Sequence, residues 1–148
     1  MTRLARGAFG AALLLSACAA QAGSTGGPAV VGTDWVARTI GGMPVAEGSR
    51  VTLLLAPDGR ISGSAGCNRY TGGYRLDGSR FSLAGEGAAV ATTRMACVDP
   101  VVSQQETRFL AQLAQVRDAR VDNSGTLHLT GTGARLEFVA APRGSIGR

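Results

Sequence analysis

The sequence predicts one small domain of the α+β class: an antiparallel, mostly-β sheet packed with a single helix in the C-terminal half. Three observations predict it. Short stretches alternate apolar and polar residues, as half-buried strands do. Gly-, Asn- and Pro-bearing turn signals separate them. One apolar stripe at helical spacing follows an Asp-Pro pair. Of the 148 residues, those from Cys18 onward are enough for one ordinary domain with a real core.

The domain is expected over residues 34–140, with a frayed tail at 141–148. "DWVARTI" sets Trp35, Ala37 and Thr39 against Val36, Arg38 and Ile40, and suits a first strand. "GGMPV" then turns. In "RVTLLLAPDGRISGSAG" two apolar stretches flank Pro57-Asp58-Gly59, where Pro pre-sets one turn position and Gly supplies positive φ, so a hairpin is predicted. A strand over Arg69–Arg75 follows, and Asp77-Gly78 turns it into "SRFSLAG", with Phe81 and Leu83 on one face. Asp99-Pro100 reads as an N-cap and first helical residue. The helix is predicted over Pro100–Ala114, with Val102, Phe109, Leu110 and Leu113 as its stripe and Glu106 the one polar intruder. Strands at Val116–Val121, Thr126–Thr130 and Arg135–Val139 complete the pattern. Leu127, Leu129, Leu136 and Phe138 point inward in the last two, and His128 points outward.

The N-terminus reads as an export signal. Arg3 and Arg6 precede a short apolar run, Ala8–Leu15, too short to span a bilayer, and small residues follow. "LSAC" at residues 15–18 resembles a bacterial lipobox. Residues 1–17 are therefore read as a lipoprotein-type signal, Cys18 as the lipidated residue, and 18–33 as lipid attachment plus a Gly/Ser/Ala-rich tether. An ordinary signal cut near Ala20 or Ala22 is the alternative. The expected location is the cell envelope, facing the periplasm, with membrane contact through the lipid. Ala19, rather than Asp, favours the outer membrane.

The formal charge is +5, or +3 without Arg3 and Arg6, and all fifteen basic residues are Arg. They are scattered singly, which reads as a solvated surface and gives no nucleic-acid partner. Catalytic patterns fail in turn. His128 is the single histidine, with no triad partner suggested. Zinc needs three or four ligands that this chain does not group, and neither a metal nor a cofactor is expected. "GSAGCNRYTGG" lacks both phosphate-loop patterns. With Cys18 lipidated, Cys67 and Cys97 are an even pair in an oxidising compartment, and a disulfide is the reading; two buried reduced thiols are the alternative. Asn68, Tyr70, Tyr74 and Arg94 remain as candidate binding residues beside Arg69. The two tyrosines share a strand face.

Taken together, an early Trp35, "GSAGCNRYTGGY" at Gly63–Tyr74, "TRMAC" at Thr93–Cys97, the helix segment "QETRFLAQL" and the closing "LHLTGTGARLEF" resemble the META domain family. The resemblance runs from Trp35 to Phe138. It implies an antiparallel, partly barrel-like sheet packed with a helix, behind a lipoprotein signal. It further implies a non-enzymatic role in heat-shock or envelope stress or in drug tolerance, and it carries no catalytic residues over. A periplasmic binding module, for a small ligand or for a protein partner such as a protease, is the second expectation. It would use the glycine-rich loop with Tyr70 and Tyr74. An enzyme would need a pocket joining Cys67 or His128 to a carboxylate.

Overall fold

The structure, a computed structural model, describes residues 28–142. The signal at 1–17, Cys18, the tether to residue 27 and the tail from 143 lie outside the described residues. In order, the chain forms β1 (Asp34–Ile40), β2 (Met43–Pro44), β3 (Thr52–Leu55), β4 (Arg60–Ser64), β5 (Arg69–Asp77), β6 (Arg80–Ala84) and β7 (Ala91–Thr92). Then follow α1 (Pro100–Leu113), β8 (Val116–Val121), β9 (Thr126–Gly131) and β10 (Ala134–Ala140). No helix among these residues is long and apolar enough to cross a membrane.

The expected sheet is more complete than partly barrel-like. Strands β1, β3, β4, β5, β6, β8, β9 and β10 pair antiparallel in sequence, and β10 pairs back onto β1 from Trp35↔Ala140 to Ile40↔Leu136. Eight strands therefore close a barrel, and the fold is mostly-β rather than an open sheet with a helix. A barrel of this size is filled by its own side chains. Trp35, Leu53, Leu55, Ile61, Leu127, Leu129, Leu136 and Phe138 fill this one and are almost wholly buried. The connections are hairpins except between β6 and β8. There the chain lays β7 against the start of β5 (Tyr70↔Thr92) before it enters α1.

Helix α1 lies across one end of this barrel. Its side chains reach the loop after β1, the segment before β3, the β4–β5 loop and the start of β10, all of which meet at that end. Phe109 packs between Tyr70 and Phe138, with ring centroids 5.5 and 6.5 Å away, and Leu113 is fully buried. The predicted start is observed: Asp99 Oδ1 accepts from Val101 N at 2.8 Å, with Pro100 at the first helical position. Asp99→Ala should cost about 1 kcal/mol in urea unfolding; an unchanged midpoint would mean that tertiary packing alone sets this helix end.

Two expectations are corrected. Simple alternation in β1 sets Thr39 with the inward residues, yet the register slips between Ala37 and Thr39. This bulge turns Ile40 inward and Thr39 outward, where its hydroxyl donates to Glu137 Oε2 at 3.1 Å. The tether reading of 18–33 is also too long. Trp35 Nε1 donates to Val30 O, Gly32 N donates to Leu55 O, and Val30 and Val31 pack on the core. Apolar contact and backbone pairing thus begin the domain before Asp34. Pro28 lies beside Gly125 in the β8–β9 turn, so the chain enters at the barrel end opposite α1.

Candidate functional site

The segments that stand out in the sequence meet under α1. In the β4–β5 loop Gly66 adopts φ +122, a conformation L side chains rarely take, and a Cβ there would crowd Ser49 and Val102. That backbone turns the next two N–H groups toward the helix. Cys67 N and Asn68 N both donate to Glu106 Oε2, at 3.1 and 2.6 Å, and Asn68 Nδ2 donates to Glu106 Oε1 at 2.7 Å. The buried carboxylate is thus held by three N–H donors, charge-assisted bonds that satisfy an anion without a cation beside it. Asn68 faces both ways, since its Oδ1 accepts from Met95 N at 2.7 Å and Thr93 Oγ1 at 2.8 Å. The predicted disulfide is present: Cys67 and Cys97 are joined, with Cα atoms 5.8 Å apart. One clasp therefore ties the β4–β5 loop, residues 93–97 and α1 together.

Sulfur and carboxylate atoms of Cys67, Cys97 and Glu106 lie within 4.8 Å of one another. Such a trio invites a metal reading, but the sulfurs are bonded to each other and the carboxylate already accepts three N–H groups. As it stands, the arrangement is a brace.

Tyr70 and Tyr74 share a face, as their spacing predicts, and that face is the interior. They are 2% and 8% exposed. Each ring reaches across β4 to a carbonyl of the β3 segment: Tyr70 Oη donates to Thr52 O at 2.8 Å and Tyr74 Oη to Ala56 O at 2.7 Å. Gly63 makes the first reach possible, because a Cβ there would run into Thr52 O and the Tyr70 hydroxyl. Thr52 O being taken, Ser64 N donates instead to Thr52 Oγ1 at 2.9 Å. Burial pushes the Tyr70 phenol well above its ordinary pKa. Tyr74 is raised as well, by burial and then by the negative charge of Asp58. Both phenols keep their protons near neutrality and donate hydrogen bonds.

The model of the META domain family matches residues 28–143. The chain belongs to the META domain family. It is similar to a protein from Burkholderia xenovorans whose structure was determined by NMR. The two are 28% identical with a TM-score of 0.59, over 76% of this chain and 84% of that one. No curated protein matches the chain.

In this META domain the other candidates stand apart from the clasp. Arg94 is exposed. His128 lies on the outer face of β9, its Nε2 2.8 Å from Asp122 Oδ2 and its Nδ1 3.8 Å from Glu137 Oε1. Hydrogen bonds from Ser124, then His128 and Thr126, hold the Asp122 carboxyl well below the usual carboxylate range. That network closes the β8–β9 turn, and it has no hydrogen bond to Cys67 or Cys97. Sequence reasoning missed Gln105, which is 1% exposed. Its Oε1 accepts from Ala46 N at 2.6 Å and its Nε2 donates to Ser49 Oγ at 2.9 Å. The available signal was two adjacent polar residues, Gln105 and Glu106, between the apolar positions Val102 and Phe109.

Proposed function

We propose that this META domain is a non-enzymatic module of the bacterial cell envelope, anchored through lipid on Cys18 and facing the periplasm, with a role in heat-shock or envelope stress or in drug tolerance. The clasp carries this reading. Cys67, Asn68 and Glu106 hold the most reactive atoms of the signature segments, and those atoms are bonded to one another or to backbone. Groups so engaged offer a substrate no nucleophile or free base. The export pattern and the "LSAC" stretch support the anchor, and Ala19 favours the outer membrane.

Pro28 follows Cys18 by ten chain steps, a reach of at most about 33–36 Å. The helix, the disulfide and the exposed Met95, Val98 and Val101 sit at the barrel end opposite this entry point, and an anchor on Cys18 would leave them accessible to an envelope protein partner. The alternative, a binding module built on Tyr70 and Tyr74, loses its main support because both rings are buried.

The test is deletion of the gene followed by heat and a panel of envelope-active drugs. Sensitivity restored by the wild-type gene but not by Cys18→Ala is the expected result. Wild-type behaviour across the panel would overturn the stress role, and full rescue by Cys18→Ala would overturn the anchor.

A further inference from the structure

A trough of about 830 Å³ runs over the outer surface of the barrel where β3, β4 and β5 lie side by side. Its floor is β4, where Ser62, Gly63 and Ser64 are too small to fill the space. The strand pairing orders its walls. One outward row sets Leu54 beside Ser62 and Ser62 beside Thr71, and the row nearer α1 sets Val36 beside Thr52 and Ser64 beside Arg69. Arg50 stands just beyond that second row, whereas Asp34 lies in the first. Two guanidinium groups therefore mark the helix end of the trough, and the single carboxylate of its lining marks the other. Neither Arg50 nor Arg69 has an ion pair or side-chain hydrogen bond among the described residues, and the Ser62 and Thr71 hydroxyls have no partner there either.

We propose that this trough binds a small anionic amphiphile, its carboxylate held by Arg50 and Arg69 and its aliphatic body lying along Ser62–Ser64 against Val36 and Leu54. The size is that of a small-molecule site, and aliphatic walls with a few convergent polar groups are what such sites use. Guanidinium forks match a carboxylate in geometry and charge, and Asp34 repels it from the opposite end. Other occupants fit worse. A sugar would stack on an exposed ring, yet the rings that line the trough, Trp35 and Tyr70, are 0% and 2% exposed. An added peptide strand needs a free backbone edge, and β4 is paired on both sides. This site adjoins the clasp at Thr93, which lines the trough and donates to Asn68 Oδ1, and it is independent of whether Cys18 carries lipid.

The experiment titrates the oxidised domain with decanoate, decanol and decyltrimethylammonium below their micellar concentrations, followed by amide NMR shifts. Decanoate should shift the amides of Ser62, Gly63, Ser64 and Thr71 saturably, and the neutral and cationic probes should bind at least about tenfold more weakly. Arg50→Ala and Arg69→Ala should each weaken decanoate about tenfold while leaving the remaining spectrum in place. Ser62→Trp, a filler pointing outward, should abolish binding without loss of the fold. Equal binding of decanol and decanoate, unchanged affinity in both arginine variants, shifts confined to another face, or no saturable binding would each overturn the proposal.

Discussion

The Glu106→Ala variant should unfold about 3–5 kcal/mol more easily than the parent domain in urea, because it leaves two buried donors and one partly buried donor without an acceptor. Those donors are Cys67 N, Asn68 N and Asn68 Nδ2. Each loses a charge-assisted bond, and water has little access where Asn68 is 6% exposed. A loss of this size is a large share of the stability of an ordinary domain. Glu106→Gln should fall between, since its amide oxygen can still accept while its NH₂ faces other donors. A double-mutant cycle with Asn68→Ala should then show strong coupling, as neighbours in one network do. A loss below about 1 kcal/mol for Glu106→Ala would mean that the loop re-bonds elsewhere and that the carboxylate is not its organiser.

Removing the disulfide by Cys67→Ser with Cys97→Ser should cost about 3–4 kcal/mol in the chain-entropy account for a sequence separation of 30 residues. For a domain of this size that corresponds to roughly 10–15 °C in melting temperature. The double variant should still fold, because the Asn68 and Glu106 bonds hold the same three segments without the sulfur link. Melting curves of the oxidised, reduced and double-Ser proteins check this. Coincident oxidised and reduced curves would show that the bond adds nothing to a clasp already closed, whereas a reduced protein unfolded at 25 °C would show that the hydrogen bonds cannot hold it alone.

Much of the local structure is legible in the residues. Asp99-Pro100 starts α1 where the cap chemistry puts it, and β8 runs over Val116–Val121, the range read from the sequence. Closure of the barrel is not legible. It joins residues 34–40 to 134–140, about a hundred positions apart, and no neighbour in sequence reports that pairing. The bulge in β1 is hidden for the same reason, since it exists relative to β10.

The candidate site divides in the same way. The pairing of Cys67 with Cys97 follows from counting cysteines in a chain whose N-terminus reads as an export signal. The shared face of Tyr70 and Tyr74 follows from even spacing, but spacing cannot say which face is the interior, because a one-residue slip exchanges the two. The slot at Gly63 settles it by giving the Tyr70 ring a path to Thr52.

By itself, then, the sequence determined the turns, the helix and its cap, the strand faces as sets outside the β1 bulge, and the pair of cysteines. Each of these depends on backbone sterics, side-chain chemistry within a few residues, or simple arithmetic. Only the tertiary structure decided that the sheet closes, that Gln105 and Glu106 turn inward on an amphipathic helix, and that small residues along β4 leave a trough with two arginines at its helix end. Those outcomes depend on which distant segments share a surface. A buried carboxylate is tolerable only where a loop far away in sequence presents N–H groups to it, and Cys67 and Asn68 do so for Glu106.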